Sequence, residues 1–422
     1  MTADAAATRP AAVPGRETAA TAAPSAVQRR PLLPLSVGHF CVDSYAGMLA
    51  PMVPLLQERL GLSLAATATI GAVMAFSNLS QPLFGLLGDR LRRRNLVPAG
   101  VLLAAVCMPL MGVTASFALT LVVIAAGGLG VAAFHPQSFV IAGDLSGARR
   151  AFGIALFVFA GTVGLATTPT WLTFTVDAFG TKVLPLAALP GVAAALAIWR
   201  WVPLRADPAQ DQGWRAVGAQ LTASLRPLAT ILAVVVLRNV TFLGFNLFIA
   251  ILNRDRGMGL MAGGIALSVY SLAGVLASLG VARIADRTDA KPLVWGSLAA
   301  AAPFLFAYAL VPGPVSLLLL AAGGGLLGSS TSVMVALAQQ AAPGQRALAS
   351  SLPLGMSWGL ASLTLPLLGW IADLAGVTVM LSALGWLPLV AAAIAFRFLP
   401  PRDTPSRADT PAAAGSTATA GR

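Results

Sequence analysis

The stretch Gly85-Leu86-Leu87-Gly88-Asp89-Arg90-Leu91-Arg92-Arg93-Arg94 closes one apolar run, and a degenerate copy, Ala282-Arg283-Ile284-Ala285-Asp286-Arg287, closes another 197 residues later. The same offset carries Arg94 to Lys291, Gly147 to Gly344, Arg149 to Arg346 and Pro169 to Pro366. It also carries Gly127-Gly128-Leu129 to Gly324-Gly325-Leu326. So long an ungapped register marks a duplication, and the copies point the same way because each contains an even number of apolar runs.

Composition sets the environment of that repeat. Of the 422 residues, 57% are hydrophobic and 10% charged, against roughly 45–50% and about 25% in soluble domains. Mean hydropathy is +0.82. A water-facing surface cannot be built from so few charges, which excludes a soluble enzyme or a nucleic-acid module. The net charge of +12 comes from 27 Lys+Arg against 15 Asp+Glu, and the basic residues sit in short loops without a basic face or interleaved aromatics, so no nucleic-acid partner is expected.

Twelve apolar runs follow one another, near 32–57, 65–87, 96–113, 117–142, 151–176, 182–202, 228–252, 259–284, 292–312, 315–340, 347–372 and 376–399. Each is close to the roughly 20 residues that cross a hydrocarbon core of about 30 Å. The expected fold is an all-α membrane protein of twelve transmembrane helices in two six-helix halves, 31–202 and 228–400. A polar linker, 203–227, joins them, and loose tails at 1–30 and 401–422 lie on the cytoplasmic side. Residues 1–30 lack the apolar core of a signal peptide. Cys41 and Cys107 fall inside runs and read as small buried hydrophobes, so neither a disulfide nor a metal is expected.

Charge asymmetry orients the bundle. Arg90, Arg92, Arg93, Arg94, Arg149, Arg150, Arg200, Arg205, Arg283, Arg287, Lys291 and Arg346 fall on the side of the termini. The opposite loops hold only Arg59, Lys182, Arg254 and Arg256. The positive-inside rule places both termini in the cytoplasm.

At membrane depth the ionisable residues are His39, Asp43, His135 and Arg238. A charge there costs roughly 2.5–3.5 kcal/mol even on a lenient insertion scale, so each needs a partner, water or a proton. His39 and Asp43 are four residues apart and share a helix face. The 197-residue offset sets Asp43 opposite position 240, within one turn of Arg238. Asp43 is the leading candidate for proton coupling, with His39 and His135, because a carboxylate passes readily between charged and neutral forms. Plainer readings stay open: His135 bonding a carbonyl freed by Pro136, His39 only orienting Asp43, Arg238 as a fixed counter-ion. Gln137, Asn239, Asn246, Asn78, Gln81, Gln339 and Gln340 offer hydrogen bonds to a substrate beside Arg238, and Trp358 offers a stacking wall. The small residues Gly161, Gly164, Gly355 and Gly359 allow close helix contact.

With the repeat beside it, the 85–94 stretch resembles the signature of the major facilitator superfamily, a Gly-x-x-x-Asp-Arg core followed by basic residues. The resemblance implies a cytoplasmic gate built on Gly85, Asp89, Arg90 and Arg94, on Asp286 and Arg287 in the second copy, and on Arg149 and Arg346. In it Asp89 faces the N-terminal end of the eleventh helix near 346–350, where the helix dipole favours a carboxylate. The local sequences Gly38-His39-Phe40-Cys41-Val42-Asp43, Phe134-His135-Pro136-Gln137 and Gly355-Met356-Ser357-Trp358-Gly359 resemble the fosmidomycin-resistance branch, drug efflux carriers of the bacterial inner membrane. Two positions depart from it: Gln137 replaces an acidic residue, and Thr168 stands before Pro169 where the antiporter signature has glycine.

The resemblance implies proton-coupled export of a small molecule by alternating access, with substrate and proton competing for Asp43 and Arg238. An anion such as a phosphonate suits the guanidinium fork. The expected partners are a small-molecule substrate, protons and the lipid bilayer, for a monomer with no cofactor. Import or facilitated transport within the same fold is the alternative. An intramembrane enzyme is disfavoured, since no nucleophile stands beside a base in a recognisable motif.

Overall fold

The computed structural model describes residues 28–81, 83, 84, 87, 95–146, 150–204, 225–285, 288–342, 349 and 352–399. The helices of the described residues follow one another as twelve passes. The first half contains α1 (Arg29–Gly47 and Leu49–Leu60), α2 (Leu64–Phe76 and Ser77–Ser80), α3 (Leu96–Leu110), α4 (Phe117–Leu145), α5 (Arg150–Phe179) and α6 (Thr181–Ala187 and Ala188–Trp201). The second contains α7 (Leu225–Asp255), α8 (Leu260–Ala285), α9 (Ala290–Leu310), α10 (Pro314–Ser329 and Thr331–Ala341), α11 (Leu352–Met356, Ser357–Ser362 and Leu365–Ala375) and α12 (Val377–Gly385 and Leu387–Phe398). Among the described residues, eight passes are long and apolar enough to cross a membrane by themselves, and α11 makes a ninth across its 41° bend. Pro366, at the start of the helix beyond that bend, cannot supply the N–H that would continue the preceding turn.

Several boundaries differ from the expected ones for local reasons. The first pass begins at Arg29, and Gln28 N–H donates to Leu145 O at the end of α4, so the chain is tied down before the apolar run starts. Ser63 and Ser116 accept N–H bonds from Ala66 and Leu119 and cap the starts of α2 and α4. At the end of the bundle opposite the termini, Gly61, Gly180, Gly257, Gly313 and Gly376 adopt φ between 61° and 86°. Turns that tight need a left-handed residue, which glycine supplies without strain. They leave little loop to carry charge, and that explains why this end is poor in basic residues.

The repeat has a structural signature at the same end. Arg59, just before the end of α1, donates to Met111 O at 2.7 Å and to Gly112 O, beyond the last turn of α3. Its copy Arg256, 197 residues on, donates to Tyr308 O at 3.1 Å and Ala309 O at 2.6 Å in the last turn of α9. Both guanidinium groups satisfy carbonyls that have no helical partner and sit at the negative end of a helix dipole. Arg59→Ala and Arg256→Ala should each lower stability by about 1–3 kcal/mol. Because the sites lie in separate halves, the losses should add in the double variant. Thermal unfolding in detergent measures this.

Within the first half α1 packs on α5 and α3 on α4; in the second, α8 and α9 both pack on α10. The halves meet along α5–α8 and α2–α11, with Leu49–Leu60 of α1 against α7. Glycine permits close approach there: a Cβ at Gly264 of α8 would lie 2.5 Å from Pro169 O of α5. Polar contacts also cross the interface near the end opposite the termini. Thr170 Oγ1 donates to Ser268 Oγ at 2.8 Å, and Arg254 donates to Gln57 Oε1 at 2.9 Å. Asp373, near the end of α11, accepts from the backbone N–H groups of Leu64 (2.8 Å) and Ala65 (2.9 Å) at the start of α2. A carboxylate from one half thus occupies the positive end of a helix in the other.

Candidate functional site

Helices α1, α4 and α5 bring His39, Asp43 and His135 together. His39 Nε2 lies 3.3 Å from Asp43 Oδ2, one helical turn away. His135 Nε2 reaches the other oxygen, Oδ1, at 3.2 Å from across the half. The second nitrogen of each ring is also committed. His39 Nδ1 stands 2.8 Å from Phe157 O of α5, and His135 Nδ1 stands 2.8 Å from Val131 O one turn back along α4. Bonding a local carbonyl and facing Asp43 are therefore combined in His135. The back of the cluster is closed by aromatic rings, with Phe157 stacked on His39 at 4.1 Å and Phe134 and Phe139 around it. Behind it Gly161 of α5 leaves no room for a side chain, since a Cβ there would lie 2.5 Å from both Asp43 Oδ2 and His39 Nε2.

Proton accounting follows from these contacts. Carbonyl oxygens only accept, so the ring proton of each histidine is fixed on Nδ1. Both Nε2 atoms then turn towards carboxylate oxygens. With two neutral rings and an ionised Asp43, lone pairs would face lone pairs at both contacts, so a proton on either contact relieves the opposition. Among the described residues His39, Asp43 and His135 are also the one group of three such side chains whose ligand atoms lie within 4.8 Å of one another. The Asp43 side chain is 18% exposed, whereas His39 is buried.

Arg238 lies elsewhere. It sits on α7, 6% exposed, with a buried Nε that has no hydrogen-bond partner. Among the described residues no ion pair joins it to Asp43, whose charged contacts are the two histidines. The expected Asp43–Arg238 pair is therefore not formed. The repeat offset relates equivalent positions in the two halves, which puts them across the interface from one another rather than in contact. Phe242 and Asn246 continue the Arg238 face of α7 at four-residue steps, both half-buried. Phe242 stacks on Tyr270 of α8 at 5.4 Å and meets Trp358 of α11 edge-on at 5.5 Å.

Other expected residues distribute as follows. Asn239 is fully buried and donates to Ser357 Oγ at 2.8 Å, tying α7 to α11 just after the π-helical turn Leu352–Met356. Such widened turns recur at functional sites. Gln81 Nε2 donates to Asn78 Oδ1 at 3.0 Å. Gln137 is buried on α4 beside His135, while Gln339 and Gln340 sit in the last turn of α10, near the end that carries the termini. Gly85, Asp89, Arg90, Arg94, Arg149, Asp286, Arg287 and Arg346 lie outside the described residues. Sequence reasoning did not pick out Phe242, Tyr270, Phe157 or Asp373. None stands in a spacing that sets it apart, although an acidic residue ending the apolar run of α11 was a readable signal for Asp373.

The family model described as Major Facilitator Superfamily matches residues 35–352. The fosmidomycin resistance protein of Escherichia coli (strain K12) is 24% identical over 374 residues, 84% of this chain and 89% of that protein. Among solved structures, a bacterial homolog of the human lysosomal transporter Spinster, inward-facing and unoccupied, superposes with a TM-score of 0.71 at 16% identity. It covers 87% of this chain and 96% of its own. A D-xylose-proton symporter gives a TM-score of 0.70 at 15% identity, covering 87% and 97%.

Proposed function

The chain belongs to the Major Facilitator Superfamily of membrane transporters, and from that premise we propose that it is a proton-coupled carrier exporting a small molecule by alternating access. The observation that carries this reading is the convergence of both histidine Nε2 atoms on the two oxygens of Asp43, with each Nδ1 held by a carbonyl. His39, Asp43 and His135 exchange the proton. Arg238, with Asn239, Asn246 and Trp358 around it and Asn78, Gln81, Gln137, Gln339 and Gln340 as further polar groups, receives the substrate. The gate at the cytoplasmic end uses Gly85, Asp89, Arg90, Arg94, Arg149, Asp286, Arg287 and Arg346. The protein works as a monomer in the bacterial inner membrane with both termini in the cytoplasm.

The test begins with growth of a deletion strain and an overexpressing strain across a compound panel, fosmidomycin first. The compound that separates them is then given to inverted vesicles with an acid lumen. Uptake that stops when an ionophore collapses the pH gradient is expected, and uptake indifferent to the gradient excludes coupling. Import or facilitated transport in the same fold draws on one observation, the separation of Asp43 from Arg238, which removes direct competition between proton and substrate. Counterflow without pH dependence is its distinguishing result.

A further inference from the structure

We propose that the molecule carried is an organic anion with a flat aromatic body, its charge on Arg238 and Tyr270 and its ring against Phe242 and Trp358. This rests on the reading of the α7 face as the substrate side of a carrier and names the class of substrate.

Two donors on this wall lack acceptors. Among the described residues, Arg238 Nε and Tyr270 Oη are both buried without a hydrogen-bond partner. Among the described residues no carboxylate lies within 4.0 Å of Arg238. A guanidinium in hydrocarbon without a counter-ion is costly, and so is a buried hydroxyl left unbonded. A ligand group that only accepts, such as a carboxylate, sulfonate or phosphonate, supplies the acceptor that such donors lack.

The rest of the wall describes the remainder of the molecule. Phe242 follows Arg238 by one helical turn and is half-buried, as is Trp358, so both keep some surface free. Their rings meet at 64°, and Phe242 lies nearly parallel to Tyr270 at 19°. This corner of aromatic faces and edges is the geometry in which another flat ring packs by offset stacking and edge contact. The duplicate positions in the first half are Cys41 for Arg238, Tyr45 for Phe242 and Gly161 for Trp358. Tyr45 there is spent on bonds to Ala187 O and Gly191 N–H. The cation-and-ring wall thus belongs to the second half alone, while proton exchange belongs to the first.

Full-length protein in detergent, titrated calorimetrically without any gradient, provides the test. The probes are one- and two-ring aryl carboxylates and sulfonates led by 2-naphthoate, with 2-naphthylmethanol as the neutral analogue and inorganic phosphate as the anion without a ring. The aryl anions are expected to bind, with naphthylmethanol and phosphate each at least about tenfold weaker. Arg238→Gln should weaken 2-naphthoate about tenfold or more, and Tyr270→Phe about threefold, the scale of one hydrogen bond. Trp358→Leu should weaken 2-naphthoate several-fold and leave phosphate unchanged. Arg238→Lys, with unfolding temperature and gel-filtration profile, separates loss of the guanidinium fork from loss of fold. Equal affinity for naphthylmethanol, equal affinity for phosphate, no binding of any aryl anion, or wild-type affinity in a folded Arg238→Gln protein each overturns the proposal. Because binding is read at equilibrium, a protein that binds aryl anions yet ignores a pH gradient refutes the coupling and leaves this assignment standing. One that couples but prefers neutral ligands does the reverse.

Discussion

Asp43→Asn is expected to abolish transport driven by a pH gradient while leaving exchange of substrate for substrate largely intact. The carboxylate is the acceptor between His39 and His135, at 3.3 Å and 3.2 Å. An amide of the same shape presents one oxygen and one NH2. The NH2 donates permanently to one Nε2 lone pair, and the oxygen faces the other without a charge to offer. No proton is then gained or lost during the cycle, so the gradient has nothing to act on. Gradient-driven uptake in vesicles should fall by at least about two orders of magnitude, the scale attached to losing an essential acid–base group. Counterflow in the same vesicles should stay within a few-fold of wild type. Undiminished gradient-driven transport would remove Asp43 from the coupling.

Gly161→Ala carries the next largest effect. The added methyl would sit 2.5 Å from both Asp43 Oδ2 and His39 Nε2, side-chain atoms rather than backbone, and the Asp43 carboxylate can turn away from it. The helix therefore survives, but the contact between ring and carboxylate opens. Coupled transport is expected to drop more than tenfold with a near-normal unfolding temperature. Gly164→Ala, one turn on, differs in kind. Its methyl would strike the backbone oxygen of Phe40, which cannot move without shifting α1. Overpacking of that sort costs about 1–3 kcal/mol and should appear as lost stability. If both variants behaved alike in stability and transport, Gly161 would be a packing residue only.

Much of this was legible in the chain. Apolar runs of membrane length and a common offset require no tertiary knowledge, and they yield twelve helices in two matched halves. The i, i+4 spacing of His39 and Asp43 defines a shared face because helical geometry leaves no other option. His135 joins them because so apolar an interior drives its few ionisable groups together. The offset failed as a guide to contact. It predicted Asp43 near Arg238, but duplication relates positions by symmetry, and symmetry mates in a two-fold bundle stand apart across its axis. The arginine pair Arg59 and Arg256 was within reach of the same offset. The partners are main-chain carbonyls, however, and carbonyls leave no mark in a sequence. Tyr270 and Phe242 carry no spacing that sets them apart from packing residues, and only the coordinates bring them beside Trp358 and along the Arg238 face of α7.

The Asp373 contact has a one-sided heredity. Its acceptor is a side chain, yet both donors are peptide N–H groups at positions 64 and 65. Any residue other than proline at those two positions still supplies the bond, whereas loss of the carboxylate breaks it in a single step. Mutational drift can therefore rewrite the start of α2 freely and leave the seal between the halves unbroken, while the fate of that seal is decided at one codon on the other side.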